Sequence, residues 1–350
     1  MKTGITGLPY SGKTTLFCAL TSQNYESLGH GRDIHVGTVK VPDARLEKLY
    51  EMFNPKKITH ATMEYFDIAG QSAGHDKIIE PKSLQALRNA DSLIIVIDAF
   101  SPGADPRRDF NTMADEFAFN DLVVATNRLE RIEKELKSTK SESLLHEKET
   151  LERCRAHLEE GGMLRDLPFG ETEEKLLRGF QFITQKTLLI VLNISEDALD
   201  TDVSREYENS FTDVKNSVCA TICAEIEMEI AMLEESDRLS FLESMGITEA
   251  ALGRIIRISY ENMDLISFFT AGGTDEVRAW TVPEGSNAQE CAGVIHSDLE
   301  RGFIRAETVT FEDLVRSGSF KAAREEGLLR IEGKDYIVSD GDVLTIRFNV

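Results

Sequence analysis

The sequence predicts an α/β protein with a doubly wound parallel sheet, and three observations support this prediction. Short apolar runs alternate with helical patterns in the first third of the chain, as in folds whose sheet is covered by helices on both faces. Residues 93–97 and 188–192 are continuous apolar runs, which suit buried parallel strands. A glycine-rich loop over residues 7–14 lies between a strand pattern and a helix pattern.

The elements of this sheet follow in chain order from the period of the apolar residues. Expected strands cover residues 2–6, 63–66, 93–97 and 187–192, and expected helices cover residues 13–21 and 84–90.

The middle of the chain has a different pattern, which predicts a helical hairpin. Apolar residues recur at alternating spacings of three and four, the seam of a coiled coil, at Leu122, Ala125, Leu129, Ile132 and Leu136. The polar segment 138–143 interrupts the seam, which resumes at Leu144, Leu151, Cys154 and Leu158 and ends at Gly161. Two amphipathic helices joined by a short polar turn form an antiparallel pair.

The last part of the chain predicts a small α+β domain. Short alternating strands are expected at 277–282, 328–331, 336–338 and 344–348, with a single helix at 288–298.

Composition narrows the classes of function. A chain of 350 residues is expected to form two or three domains. Its formal charge of −22 argues against broad adhesion to nucleic acid or anionic membranes, and against strong direct binding of RNA. Its apolar runs are much shorter than the roughly 20 residues of a membrane helix. The five scattered cysteines are expected to be free thiols, so we expect a cytoplasmic protein with no membrane partner.

The loop from Gly7 to Thr14 fits the phosphate-binding pattern G-x-x-x-x-G-K-[ST] at every defined position. Its glycines let backbone N–H groups converge on phosphate oxygens, while Lys13 reaches the β- and γ-phosphates and has a catalytic role. The Thr14 hydroxyl is positioned to bind Mg²⁺. The predicted nucleotide-binding residues of this segment are Gly7, Pro9, Tyr10, Ser11, Gly12, Lys13, Thr14 and Thr15.

A second motif, Asp67-Ile-Ala-Gly70, follows the strand expected at 63–66. In P-loop NTPases an aspartate at this place holds Mg²⁺, so Asp67 joins Thr14 as a predicted metal ligand. The glycine senses the γ-phosphate, which makes Gly70 the predicted switch residue. Gln71 comes next, and we expect it to orient the attacking water as a catalytic residue.

Together with further motifs, these residues resemble the YchF (Obg-like ATPase) family of P-loop NTPases over nearly the whole chain, as a divergent member. The further motifs are Val41-Pro-Asp-Ala-Arg-Leu46, Gly162-Met-Leu-Arg165, Cys223-Ala-Glu-Ile-Glu227, Phe269-Thr-Ala-Gly272, Glu276-Val-Arg-Ala-Trp-Thr281, Gly302-Phe-Ile-Arg-Ala-Glu307, Glu332-Gly-Lys-Asp-Tyr-Ile337, Asp340-Gly-Asp-Val343 and Arg347-Phe-Asn-Val350. The resemblance implies a G domain (residues 1–110 and 180–266) interrupted by the helical hairpin (111–179) and followed by a ubiquitin-like β-grasp TGS domain (267–350).

The base-recognition motif favours ATP over GTP. GTPases use Asn-Lys-x-Asp, whose aspartate accepts hydrogen bonds from two nitrogens of guanine, whereas here the strand from Thr187 ends in Asn193-Ile-Ser-Glu196. Adenine lacks the 2-amino donor, and the pattern resembles the N-x-x-E of the family. We expect Asn193 and Glu196 to bind the base, with the opposing loop formed by Cys223, Ala224 and Glu225.

Three departures from the family pattern concern the phosphate end of the site. Tyr10 stands where the family has asparagine, Gln71 stands where it has an apolar residue, and the segment 23–35 is short and lacks its threonine. Ser22, Ser27 and Thr38 are imperfect substitutes for that threonine.

The function predicted from these features is a slow Mg²⁺-dependent switch ATPase. The resemblance implies action on the ribosome or RNA, and we expect contact with the ribosome or a ribosomal protein through the hairpin and the TGS domain. Two alternatives stay open, a GTPase and a nucleotide-gated scaffold with negligible hydrolysis. A small-molecule kinase is disfavoured because both the D-x-x-G and N-x-x-E motifs belong to switch NTPases.

Overall fold

The computed structural model describes residues 1–28, 34–68, 79–139, 141–199, 202–244 and 250–349. Within these ranges, no helix combines the length and the apolar character needed to cross a bilayer. All five cysteines are free, as predicted.

The described residues form strands and helices that we number separately in chain order. The strands are β1 (Lys2–Thr6), β2 (Ile34–Lys40), β3 (Lys57–Thr59), β4 (Thr62–Ile68), β5 (Ser92–Ala99), β6 (Thr187–Ile194), β7 (Ser217–Ile222), β8 (Leu265–Thr270), β9 (Glu276–Pro283), β10 (Phe303–Thr310), β11 (Arg330–Glu332) and β12 (Asp342–Phe348). The helices are α1 (Lys13–Thr21), α2 (Ala44–Phe53), α3 (Pro81–Arg88), α4 (Pro106–Leu136), α5 (Glu142–Glu159), α6 (Glu171–Leu177), α7 (Asp202–Asn209), α8 (Ala224–Met232), α9 (Glu235–Ser244), α10 (Ala251–Glu261), α11 (Ala288–Ile295), α12 (Ser297–Arg301), α13 (Phe311–Ser317) and α14 (Phe320–Glu325).

The first sheet has the strand order β2-β4-β1-β5-β6-β7. The pairs β1–β4, β1–β5, β5–β6 and β6–β7 are parallel. Its central residues 94–97 and 188–192 are at most 2 % exposed, which explains their unbroken apolar runs. Because these strands are parallel, the loops that follow β1, β4, β5, β6 and β7 meet at one edge of the sheet.

The predicted helical hairpin is confirmed as α4 and α5. Asp105 caps α4 by accepting a hydrogen bond from Arg108 N at 3.0 Å, and Pro106 occupies the first turn, where a missing N–H costs nothing. The seam residues pack into one buried cluster, which includes Ala125, Leu129, Ile132, Leu151, Cys154 and Leu158.

The chain divides into two compact units. One unit comprises Met1–Gly37 and Glu64–Leu252, and the other comprises Thr38–Met63 and Gly253–Val350. The four sequence-based segments with boundaries at residues 110, 179 and 266 stay a prediction, whereas this division by packing assigns residues 38–63 to the C-terminal unit.

The C-terminal unit contains the second sheet, in the order β11-β10-β12-β8-β9-β3. The pairing β12–β8 is parallel, and β10 pairs antiparallel with both β11 and β12. Within this unit Arg45 of α2 bonds to Asp43 and Asp340, and its guanidinium lies 5.3 Å from the ring centroid of Phe269. These contacts hold α2 among the C-terminal strands.

Several expectations for the C-terminal part were wrong. The segment 336–338 forms only an isolated bridge between Ile337 and Asn287. The expected helix 288–298 is broken at His296, which adopts an extended backbone and accepts a hydrogen bond from Asp298 N to begin α12. The single expected helix is accompanied by α13 and α14, and β10 was not predicted because polar residues interrupt its apolar alternation.

Candidate functional site

The loop between β1 and α1 requires glycine at two positions. Gly7 and Gly12 have φ angles of 150° and 93°. A Cβ atom on Gly7 would lie 2.2 Å from the Val96 carbonyl oxygen, and one on Gly12 would lie 2.2 Å from Asn193 Nδ2. The loop is therefore held so close to β5 and β6 that side chains are excluded at Gly7 and Gly12.

Lys13 is buried, at 5 % exposure, and its Nζ donates a hydrogen bond to the Leu8 carbonyl oxygen at 2.6 Å. Burial lowers the pKa of Lys13 to about 8, although the nearby charge of Asp67 acts in the opposite direction. A buried cation beside a loop whose glycines keep side chains away is an arrangement suited to an anion.

Thr14 and Asp67 form the polar pair predicted to bind a metal ion. Thr14 Oγ1 donates to Asp67 Oδ2 at 2.8 Å, while Asp67 Oδ1 is buried and has no hydrogen-bond partner in the described part of the chain. Burial raises the pKa of Asp67, opposed by Thr14 and by the charges of Lys13 and His35. The unpartnered oxygen beside a hydroxyl fits Mg²⁺, which takes one or two protein oxygens and completes its shell with phosphates and water.

No group of three or more His, Cys, Asp or Glu residues that could hold a metal ion occurs among the residues the structure describes.

Asn193, at the end of β6, joins two loops. Its Nδ2 donates to the Ser11 carbonyl oxygen at 3.1 Å, and its Oδ1 accepts a hydrogen bond from Ala224 N at 3.0 Å. Both ends of this buried carboxamide are thus engaged with backbone groups. Asn193 sets the position of the loop at residues 7–14 relative to the start of α8, and its predicted contact with a base stays a prediction.

A cavity of about 650 Å³ lies over these loops. It is lined by eleven predicted binding residues, Pro9, Tyr10, Gly12, Lys13, Thr14, Thr15, Asn193, Glu196, Cys223, Ala224 and Glu225. The predicted residues Gly7, Ser11 and Asp67 lie outside the lining, and Gly70 and Gln71 lie outside the described residues. The structure therefore brings the loop, the N-x-x-E motif and the C-A-E segment to one cavity.

The two ends of the cavity differ in charge. Lys13 provides a cation beneath the loop, whereas Glu196 and Glu225 are exposed at the other end. Between them Cys223 is buried, and burial raises the pKa of its thiol, so this end offers a neutral surface below two carboxylates.

Two aromatic lining residues were not predicted. Phe100 follows the end of β5 and is 41 % exposed, and the rule that ligands bind at the carboxyl ends of parallel strands could have identified it. Tyr25, at 60 % exposure, begins a single turn of 3₁₀ helix and has no comparable signal in the sequence.

Two protein-family models match parts of this chain. Residues 2–139 match the family MMR_HSR1, described as a 50S ribosome-binding GTPase. Residues 265–349 match YchF-GTPase_C, described as a protein of unknown function (DUF933). The two matched ranges cover the loop at residues 7–14 and the second sheet.

Full-length relatives show the same similarity. The chain is 40 % identical over 363 residues to the ribosome-binding ATPase YchF of Bacillus subtilis, covering 99 % of both chains. It is 36 % identical over 362 residues to the protein of that name from Escherichia coli O157:H7, covering 100 % of this chain and 99 % of the relative. The solved YchF GTPase of Schizosaccharomyces pombe superposes with a TM-score of 0.86 at 26 % identity, covering 99 % of this chain and 97 % of that structure.

Proposed function

The chain belongs to the YchF family of P-loop NTPases, and from this premise we propose that it is a slow Mg²⁺-dependent ATPase acting as a nucleotide switch. The observation that carries the proposal is the contact of Thr14 Oγ1 with Asp67 Oδ2 at 2.8 Å beside the buried Lys13. This arrangement combines a hydroxyl, a carboxylate with one unpartnered oxygen and a cation, the groups that a triphosphate with its metal ion requires.

The roles of the residues follow from this geometry. Thr14 and Asp67 would hold Mg²⁺, which neutralises phosphate charge when bound. Lys13 would exchange its bond with the Leu8 carbonyl for the β- and γ-phosphate oxygens, and backbone N–H groups of the loop would bind the remaining oxygens. Gln71 would orient the attacking water, and Gly70 would respond to the γ-phosphate.

We assign the exposed end of the cavity to adenine. Glu196 lines this end of the cavity, at the position where GTPases have the shorter aspartate. The lysine that follows the asparagine in the GTPase motif is absent after Asn193. Guanine would present two donors to an aspartate, whereas adenine presents one amino group to a longer acid.

Isothermal titration calorimetry with ATP and GTP tests this assignment. We expect ATP to bind about tenfold more tightly, the value of one hydrogen bond, and we expect Glu196→Asp to narrow the difference. Glu206→Asp, an exposed acid on α7 outside the cavity, is the matched control and should leave the ratio unchanged. Equal or tighter binding of GTP by the unmodified protein would contradict the adenine assignment and favour the GTPase alternative.

The lowered pKa of Lys13 predicts a pH dependence of nucleotide binding. Near pH 7 the side chain is charged, but above about pH 8 it loses its proton in the ligand-free protein. Triphosphate oxygens favour the ammonium, so binding above this pH must take up a proton, and the affinity should fall toward about tenfold per pH unit. Calorimetry at about pH 8.5 in two buffers of different ionisation enthalpy measures this uptake.

Two further results would check the same group. A Lys13→Arg variant stays charged and should show no proton uptake, whereas uptake that persists in this variant would assign the proton to another residue. In the absence of nucleotide, the stability of the fold changes with pH in the opposite direction to nucleotide affinity. The reason is that the unfolded lysine has the higher pKa of 10.5 and binds the proton more tightly. The contribution of Lys13 to stability therefore rises from about pH 8 to pH 10.5.

The partner proposed for the switch is the ribosome, because relatives of 33–40 % identity carry the name ribosome-binding ATPase. The helical hairpin and the C-terminal domain are the surfaces that we propose for this contact. Since the chain has a formal charge of −22, a ribosomal protein is a better electrostatic match than bare RNA.

A further inference from the structure

A second cavity, of about 450 Å³, lies at the opposite edge of the first sheet from the loop at residues 7–14. It is bounded by the end of α3, the turn into β5, helix α6 and the start of β6. Since β1, β5 and β6 are parallel, this edge carries the amino ends of the strands. The cavity is therefore separate from the nucleotide site.

Several charged groups around this cavity are already engaged. Arg88 donates to Asp121 Oδ1 at 3.1 Å, and Asp91 Oδ2 accepts a hydrogen bond from the Lys2 backbone N–H at 2.7 Å. Lys186 Nζ donates to the Ala90 carbonyl oxygen at 2.5 Å, which uses one of the three hydrogens of its ammonium group.

The remaining polar groups that line the cavity are a cation, a hydroxyl, two carboxamides and a carboxylate. Arg178 is exposed and makes no side-chain hydrogen bond or ion pair within the described residues. Thr187 Oγ1 is buried and unpartnered there, and the carboxamides of Gln181 and Gln185 are uncommitted. Glu174 supplies one free carboxylate. The lining carries three cations, Arg88, Arg178 and Lys186, against two carboxylates, Asp91 and Glu174, and this excess of positive charge favours an anionic ligand.

We propose that this cavity is a second ligand site, which binds a small phosphate ester through Arg178, Lys186 and Thr187. A guanidinium and an ammonium together recognise phosphate through charge-assisted hydrogen bonds, and the Thr187 hydroxyl donates to a third oxygen. The volume exceeds that of a phosphate ion, so the ligand carries a polar body that the carboxamides of Gln181 and Gln185 contact.

The surroundings of Lys186 support an anionic ligand. Burial lowers the pKa of this lysine, more than the charges of Asp91 and Asp121 raise it. A phosphate bound in the cavity would raise the pKa of Lys186 again, because an opposite charge nearby favours the charged form of the side chain.

Occupancy would affect the root of the helical hairpin. The cavity lies between α3, whose Arg88 bonds to Asp121 of α4, and α6, which follows the hairpin in the chain. A ligand that contacts both sides would stabilise this junction, so the site is placed to regulate the hairpin rather than to take part in hydrolysis.

Calorimetry with glycerol 3-phosphate and with ribose 5-phosphate tests the proposal, using the full chain saturated with ADP and Mg²⁺ so that the first cavity is filled. We expect each probe to bind, and we expect Arg178→Gln and Thr187→Val each to weaken binding, by about tenfold or more for Arg178→Gln. The matched control is Lys175→Gln, an exposed lysine of α6 that lies three residues before Arg178 and does not line the cavity.

Three outcomes would overturn the proposal: no binding of either probe at millimolar concentration, binding that is insensitive to both variants, or citrate binding as tightly as the phosphates. The affinity of Arg178→Gln for ATP should equal that of the unmodified protein. If the unmodified protein does not bind ATP, that result contradicts the proposed function and leaves the second cavity untouched.

Discussion

Replacement of Lys13 by alanine is expected to lower the rate of ATP hydrolysis at least about 100-fold, with no loss of stability. Lys13 is the cation that the structure places beneath the phosphate-binding loop, at 5 % exposure. Without Lys13, the negative charge that develops on the transferred phosphate lacks this positioned donor. The free energy of the transition state therefore rises.

The expected effect on stability distinguishes a functional role of Lys13 from a structural one. Burial lowers the pKa of this lysine to about 8, so at pH 7 the folded protein holds a desolvated ammonium that the unfolded chain solvates freely. Alanine removes this cost together with one hydrogen bond to the Leu8 carbonyl oxygen. We therefore expect the thermal unfolding temperature of the ligand-free variant to be unchanged or higher.

Steady-state phosphate release with Mg²⁺ and ATP measures the first effect, and calorimetric unfolding measures the second. Lys48→Ala is the control, because Lys48 is an exposed lysine whose ion-pair partner in the described part of the chain is Glu51. Turnover that survives in Lys13→Ala would contradict the assignment. Tight ATP binding without measurable turnover in the unmodified protein would instead favour a nucleotide-gated scaffold.

Local patterns predicted those parts of the molecule whose physical causes are local. The loop at residues 7–14 is defined by residue types that permit a close backbone approach, and the structure shows that approach at Gly7 and Gly12. The hairpin follows from the spacing of its apolar seam, which packs in the structure as expected. Both signals lie within a short stretch of chain, and the tertiary contacts of the folded protein agree with them.

Other features depend on contacts between distant residues. The pattern placed Asn193 at a strand end, but not its bridge between Ser11 and Ala224, because side-chain direction is set by the assembled sheet. The break at His296 depends on a cap that competes with continuing the helix, and helical periodicity does not register it. Residues 38–63 pack with the C-terminal strands, which no composition shift indicates.

The burial of Asp121 could not be predicted from the spacing of residues in the sequence. Asp121 lies in the middle of α4, where an acid is ordinarily solvated, yet it is fully buried. Its carboxylate accepts hydrogen bonds from the Thr184 backbone N–H at 2.8 Å and hydroxyl at 2.9 Å, and from Arg88 at 3.1 Å. These partners are 63 and 33 residues away in the chain.

Substitution of Asp121 by alanine is expected to lower the free energy of unfolding by about 3–5 kcal/mol. The variant leaves the Arg88 guanidinium and two donors of Thr184 without their acceptor in a buried place, and each unmet donor retains its desolvation cost. Chemical denaturation of the full chain, with and without nucleotide, measures this loss in the free energy of unfolding.

The matched control is Asp213→Ala, which breaks an arginine–aspartate pair of the same chemistry at the surface. Arg107 Nη1 donates to Asp213 Oδ1 at 2.8 Å, but the two side chains are 40 % and 64 % exposed. Water replaces the lost partner there, so we expect a change below about 1 kcal/mol. Equal losses in the two variants would show that burial does not determine the effect.

A double variant, Arg88→Met with Asp121→Leu, separates the cost of an unpaired charge from the value of the pair. Burial raises the pKa of Asp121 even though three hydrogen bonds and the charge of Arg88 oppose the shift. The desolvation of this carboxylate thus outweighs the attraction of its partners, and apolar replacement of both ions removes that cost without leaving the Arg88 charge unpaired. We expect the double variant to be more stable than Asp121→Ala. If it is less stable, the pair itself contributes the stability, and Arg88 has further partners, the carbonyl oxygens of Asn120 and Gln181, whose loss would then dominate.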